Sequence, residues 1–199
     1  MASDIDSRFF ALLHRGAGNA PLDWLMPRLT SLHQRPWFLG ALALVCAAVL
    51  WKGSPRARAW VLCAIAAVAL ADMGSHRVIK RWLPRDRPCH SLASGAPVEP
   101  GVRLVPGEEC PGSRSFPSNH AANTAAAATV GIAFGRSRRR WWWLLLPAVI
   151  GYSRIYLGYH YPSDVLGGWA IGTTLGLLAV LPARRWRRAE PPPEGASGS

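Results

Sequence analysis

The chain has 199 residues, a length sized for one domain. Half of its residues are hydrophobic, yet its formal net charge is +12. That pairing leaves two classes, a nucleic-acid binder and a membrane protein with basic loops, and the placement of the charges argues against the first.

The N-terminal stretch "MASDIDSRFFALLHRGAG" is too polar for a cleavable signal peptide, and its apolar residues fall at helical spacing. It reads as an interfacial amphipathic helix over residues 1–18. Five apolar stretches follow, over residues 22–51, 57–73, 121–135, 141–152 and 165–181. Each approaches the ~20 residues of a membrane span once its Trp, Tyr and Arg anchors are counted. Trp141, Trp142 and Trp143 beside Arg138, Arg139 and Arg140 make such an anchor. The expected fold is therefore all-α: a polytopic membrane bundle of about five to six helices forming a single domain over residues 1–188. The tail "EPPPEGASGS", within residues 189–199, reads as disordered.

The connections "KGSPRAR" and "GRSRRR" and the post-span segment "ARRWRR" are basic and free of acids. With an odd number of spans they fall on one side, which is then cytoplasmic. Nucleic acid is not an expected partner; the bilayer is. The long loop over residues 83–118 then lies outside, and a loop of that length is commonly functional. Cys89 and Cys110 flank it and make a possible disulfide in an oxidising compartment. Cys46 and Cys63 sit inside apolar spans as core residues.

Three polar clusters fall at the outer ends of the spans. "KRWLPRDRP" carries Lys80 and Arg87, "PSNH" carries Ser118, Asn119 and His120, and "SRIYLGYHYPSD" carries Arg154, His160 and Asp164. Lys80, Arg87 and Arg154 supply three cations for phosphate oxygens. Ser118 reads as the N-cap of the third span, leaving the amides of Asn119 and His120 as anion donors. Asp164, four residues after His160, can fix one ring nitrogen and free the other to attack. His120 can protonate a leaving alkoxide. His14, His33, His76 and His90 read as surface or interface residues, with no acid or thiolate at metal-ligand spacing. Asp86, between two arginines, reads as a local ion pair, and Asp72 as a partner for a neighbouring helix.

These motifs resemble the type 2 phosphatidic acid phosphatase superfamily, whose signature is Lys-x6-Arg-Pro, Pro-Ser-x-His and Ser-Arg-x5-His-x3-Asp. All three parts occur in order, from Lys80 to the last span. The resemblance implies a catalytic set of His160 as nucleophile forming a phosphohistidine, Asp164 as its orienter and His120 as the acid. It implies phosphate binding by Lys80, Arg87, Ser118, Asn119 and Arg154, with no metal and no cofactor. Asn119 departs from the glycine common in the family, which bears on the geometry of the phosphate loop.

The implied activity is that of a membrane lipid phosphatase in the bacterial inner membrane, with its site toward the periplasm or exterior. The expected partner is a phospholipid or a polyprenyl diphosphate. Undecaprenyl diphosphate is the first choice because Arg85, Arg103 and Arg114 offer charge for a second phosphate. Phosphatidylglycerophosphate, phosphatidic acid and lipid A 1-phosphate are the alternatives. A lipid phosphotransferase and a non-catalytic lipid-phosphate binder are the readings from other classes. The sequence does not specify an oligomeric state.

Overall fold

The computed structural model describes residues 4–15, 18–75, 80–90 and 102–189, and all regular structure among them is helical. In chain order the helices are α1 (Asp4–Arg15), α2 (Ala20–Ser31), α3 (Pro36–Lys52), α4 (Pro55–Met73), α5 (Asn119–Phe134), α6 (Leu145–Tyr156) and α7 (Pro162–Ala189). A single turn, Lys80–Trp82, follows α4, and 3-10 turns occupy Leu32–Gln34 and Arg138–Leu144. His76, Arg77 and residues 190–199 of the tail lie outside the described residues.

Local chemistry sets several of these boundaries. Asn19 caps α2 by accepting the Leu22 amide at 2.9 Å, and Ser54 caps α4 by accepting that of Ala57 at 3.3 Å. Prolines stand in the first turns of α2, α3 and α4, where no amide is needed. Pro36 also pushes Arg35 out of the helical region, to ψ 123°, so the apolar stretch expected as one span breaks there. Ala20–Gln34 and Pro36–Lys52 meet at a bend of 54°. The fourth stretch is likewise revised: Trp141, Trp142 and Trp143 lie in the 3-10 turn, and α6 starts only at Leu145.

Helix α5 is the centre of the bundle, lying against α4, α6 and α7. Its buried alanines let the neighbours in: Ala122, Ala126 and Val130 pack with Ala67 and Ala71 of α4 and Val180 of α7. Glycines take the contact on the α7 side. A Cβ on Gly172 would stand 2.0 Å from the Ala122 carbonyl oxygen, and one on Gly168 would stand 2.6 Å from that of Ser118. This approach brings the α7 N-terminus beside the α5 N-terminus, where the Ser118 amide donates to the Asp164 carbonyl at 3.1 Å.

Helix α1 lies at the end of the bundle that carries the α5 and α7 N-termini, seated by Phe10, which packs with Tyr161 and Val165. His14, expected at the surface or an interface, is buried and stacked on Phe10. One ring nitrogen lies 3.2 Å from the Ile155 carbonyl oxygen, and the other accepts the Arg103 amide at 3.0 Å. Under the outer loop Met26, Val105, Tyr156, Leu157 and Tyr159 form a second cluster around Cys89, which is bonded to Cys110 with Cα atoms 5.8 Å apart. Cys46 and Cys63 are free and half-buried rather than core.

At the opposite end the Arg56 guanidinium bonds the Phe134 carbonyl oxygen, which brings the α3–α4 and α5–α6 connections together as the charge pattern anticipates. Helix α3 buries none of its side chains; Leu39, Leu42, Leu44 and Val45 all face outward. A helix apolar on every side is suited to a hydrocarbon surround. By length and composition Pro162–Ala183 is long and apolar enough to cross a bilayer, and the bent pair of α2 and α3 passes as a second span. Helices α5 and α6, at 16 and 12 residues, are shorter than the ~20 a full span needs.

Candidate active site

The three polar clusters arrive from separate elements. Lys80 sits on the turn after α4, and Arg87 on the loop that follows it. Asn119 and His120 open α5, where amides have no preceding turn to satisfy them. Arg154 lies in the last turn of α6, His160 on the short α6–α7 connection, and Asp164 in the first turn of α7. Gly158, at φ +72°, makes the reversal that folds this connection back, and its carbonyl accepts the Cys89 amide at 3.1 Å. The disulfide-bearing loop and the His160 loop are thereby joined.

A cavity of about 350 Å³ carries Lys80, Arg87, Asn119, His120, Arg154 and His160 in its wall. Arg87 is held rigidly, its Nε donating to the Ser113 carbonyl at 2.7 Å and its Nη1 to the Tyr159 carbonyl at 2.9 Å. The same Nη1 lies 3.0 Å from His160 Nε2. Arg154 places its guanidinium over the Tyr159 ring at 4.6 Å and donates to Thr30 Oγ1 at 3.0 Å.

Behind the histidine, His160 Nδ1 stands 3.6 Å from Asp164 Oδ2. That oxygen accepts the Ser115 hydroxyl at 2.5 Å and the Tyr161 amide at 2.8 Å, while Oδ1 accepts Arg85 at 2.7 Å. The carboxylate is therefore fixed from several directions, with one edge toward the ring. Ser118 occupies the N-cap position of α5 but makes no side-chain capping bond. Its Oγ, Asn119 Oδ1, His120 Nε2 and Arg154 Nε have no hydrogen-bond partner among the described residues. Buried polar atoms ordinarily have partners, so this grouping is suited to a polar ligand.

The electrostatics point the same way. Burial, with Arg87 and Arg154 adding repulsion, brings Lys80 down to about 8. Burial also brings Arg87 to about 10, against which Asp164 and Tyr159 act. His160 is held well below the ordinary imidazole range by burial and then by Arg87, Arg154 and Lys80. A neutral imidazole beside three cations is a ring ready to attack an anion that those cations hold.

Several residues sort differently from the sequence reading. Arg85 is bonded to Asp6, Ser163 and Asp164, Arg103 to Asp23 and Tyr156, and Arg114 to the Lys80 carbonyl. Arg85 and Arg103 are thus paired with carboxylates, while the carbonyl that Arg114 meets is neutral. Asp86 is 96% exposed and lies 3.7 Å from His90, not against its flanking arginines. Asp72 accepts Asn123 of α5 at 3.2 Å, the inter-helix bond expected of it.

His33, read as a surface or interface residue, meets His120 edge-on with ring centroids 4.8 Å apart. Thr30, Ser31 and Gln34 join the cavity wall, and Glu108 stands at it, bonded to the Tyr159 hydroxyl at 2.6 Å. None of these residues has a sequence signal; the break at Pro36 brings the α2 end to the site. Among the described residues no group of three or more His, Cys, Asp and Glu is placed to hold a metal.

Three cations and two histidines at the end of an all-helical bundle form a centre of the kind that handles phosphoryl groups. Residues 59–188 match the PAP2 superfamily, and the chain belongs to that family. It is 36% identical over 143 residues to the decaprenylphosphoryl-5-phosphoribose phosphatase of Mycobacterium tuberculosis, a match covering 70% of this chain and 65% of that protein's length. It is 30% identical over 182 residues to the lipid A 4'-phosphatase of Bacteroides thetaiotaomicron, covering 88% of this chain and 76% of that protein. The crystal structure of a transmembrane PAP2 type phosphatidylglycerolphosphate phosphatase from Bacillus subtilis shares the fold, with TM-score 0.63 and 21% identity, covering 94% of this chain and 88% of that one.

Proposed function

We propose that the chain is a membrane lipid phosphatase that works through a phosphohistidine on His160. The observation that carries this is the convergence of Lys80, Arg87 and Arg154 on a neutral, buried imidazole whose far edge faces a fixed carboxylate. In the proposed reaction the three cations and Asn119 hold the phosphoryl oxygens, with Ser118 beside them. His160 Nε2 attacks phosphorus as the bond to the leaving oxygen breaks, and His120, which takes up a proton from solvent as the anionic headgroup binds, gives that oxygen its proton. His120 then takes a proton from water, which attacks the phosphohistidine and releases phosphate. Asp164 Oδ2, 3.6 Å from Nδ1 and short of a hydrogen bond in the free protein, closes on that edge and stabilises the positive ring formed on attack.

The outward-facing apolar surface of α3 and the apolar length of α7 support a bilayer setting, and the basic connections at the opposite end of the bundle support a cavity at the outer face of a bacterial cytoplasmic membrane. There a lipid tail stays in hydrocarbon while its headgroup enters the cavity. The wall holds cations for one phosphoryl group, since Arg85, Arg103 and Arg114 are engaged elsewhere, and Glu108 stands beside them as an acid. This favours a single phosphomonoester on a lipid over a diphosphate. By name, the decaprenylphosphoryl-5-phosphoribose phosphatase and the lipid A 4'-phosphatase support action on a lipid phosphate, and the undecaprenyl-diphosphatase BcrC of Bacillus subtilis, 27% identical over 80% of this chain, supports the diphosphate as the second reading.

The test is phosphate release by purified protein in detergent without added metal. The panel holds a polyprenyl-linked sugar phosphate, lipid A, phosphatidylglycerophosphate, phosphatidic acid and undecaprenyl diphosphate. Release from a monoester is expected, falling at least about 10³-fold in His160→Ala. Equal rates in wild type and variant would sink the proposal.

A further inference from the structure

Behind the nucleophile a second set of bonds leaves the three motifs and reaches the N-terminal helix. Arg85 donates through Nη1 to Asp164 Oδ1 at 2.7 Å and to Ser163 Oγ at 2.6 Å. Through Nη2 it bonds Asp6 Oδ2 on α1. Asp6 in turn accepts the Ser163 amide at 3.0 Å and the Ser163 hydroxyl at 2.5 Å. One guanidinium thus bridges two carboxylates, that of α1 and that beside His160, and Ser163 closes the ring of contacts.

The bridge is seated rather than loose. The Arg85 guanidinium lies over the Tyr161 ring at 4.2 Å, and Tyr161 meets the Phe10 ring of α1 edge-on at 5.5 Å. Both carboxylates and Phe10 are buried. Removing Asp6 takes away one anchor of the guanidinium; removing Arg85 leaves two buried carboxylates around Ser163 without their shared cation.

The consequence for chemistry lies in how Asp164 divides its oxygens. Oδ1 is occupied by Arg85, while Oδ2 takes Ser115 and Tyr161 and faces His160 Nδ1. If Oδ1 is released, Ser115 and Tyr161 still hold Oδ2, but the carboxylate loses the bond that fixes its plane, and Oδ2 shifts relative to the ring. We infer that Asp6 and Arg85 are positioning residues for Asp164, so that the seating of α1 sets the orientation of the His160 nucleophile. The inference rests on the phosphohistidine reading of His160.

The experiment compares steady-state constants of full-length wild type, Asp6→Asn and Arg85→Lys on the lipid monoester turned over fastest, together with inhibition by vanadate. Asp6→Asn keeps the shape and removes the charge; Arg85→Lys keeps the charge and removes the two-pronged bridge. Both lie outside the cavity wall, so KM and the vanadate inhibition constant are expected within about 2-fold of wild type. A misplaced ring costs turnover, and kcat is expected to fall about 10- to 100-fold. A purely structural staple would lower the melting temperature and the active fraction while leaving kcat per folded molecule unchanged, and that result overturns the inference. Arg85→Lys serves if Asp6→Asn does not fold. Unchanged kcat in both variants beside an active, His160-dependent wild type overturns the inference alone; an inactive wild type overturns the phosphatase reading with it.

Discussion

Lys80 is the cation of the site whose charge is easiest to remove. Burial, then repulsion from Arg87 and Arg154, brings it from 10.5 to about 8 in the free protein. Below that pH it is an ammonium and attracts a phosphoryl oxygen; as pH rises through about 8 it becomes neutral and the clamp loses a charge. The vanadate inhibition constant is therefore expected to climb above pH 8, since vanadate imitates five-coordinate phosphorus. Lys80→Arg should flatten that limb, because arginine keeps its proton there. A pH-independent constant in the wild type would contradict the assignment of Lys80 to the clamp. Arg85 and Arg87 show how little the residue type alone reveals. They flank Asp86 in "PRDRP", yet Arg87 lies 3.0 Å from His160 Nε2 in the cavity, while Arg85 sits behind Asp164.

At the scale of elements, the site depends on how closely α7 approaches α5. Gly172 and Gly168 leave room for the Ala122 and Ser118 carbonyls, and the Cβ of an alanine at Gly172 would stand 2.0 Å from the former. Helix α5 begins with Asn119 and His120, so separating the pair moves the proposed acid away from the proposed nucleophile. Gly172→Ala is expected to destabilise by about 1–3 kcal/mol or more through overpacking, read as a lower melting temperature in detergent. Activity is expected to fall beyond the loss of folded protein. A variant with wild-type melting and turnover would mean the helices can separate at no cost. The position of α5 was legible in the sequence, as the apolar stretch over residues 121–135. The break of the first apolar stretch was not, although Pro36 is its cause. A proline in an apolar run can start a helix, kink one or end one, and packing against the site selects among these.

At the scale of the whole molecule, the outer loop is held at two points. Cys89 is bonded to Cys110, and its amide bonds the Gly158 carbonyl on the His160 connection. With a sequence separation of 21 residues, the closed loop is expected to stabilise by about 3 kcal/mol in the chain-entropy description. Reduction, or Cys89→Ser with Cys110→Ser, should lower the melting temperature. It should also raise KM, because Arg87 and Ser113 flank the bonded cysteines on either side and line the cavity. An unchanged KM after full reduction would show that the helix ends alone hold Arg87 in place.

By itself the sequence determined an all-helical chain with apolar stretches, basic connections and three polar clusters. It also singled out Lys80, Arg87, Asn119, His120, Arg154 and His160, which the fold gathers into one cavity. These were legible because their chemistry is local: a cation pair seven residues apart, a polar helix start, and a histidine with a carboxylate one turn on. Tertiary structure alone decided that Arg85, Arg103 and Arg114 bond within the protein. It also decided that His33 meets His120, that His14 is buried, and that Asp6 reaches Arg85 across 79 positions. The physical reason is that a guanidinium or an imidazole is chemically the same wherever it occurs. Its task is set by which partners lie within hydrogen-bond distance, and those partners come from helices distant in the chain.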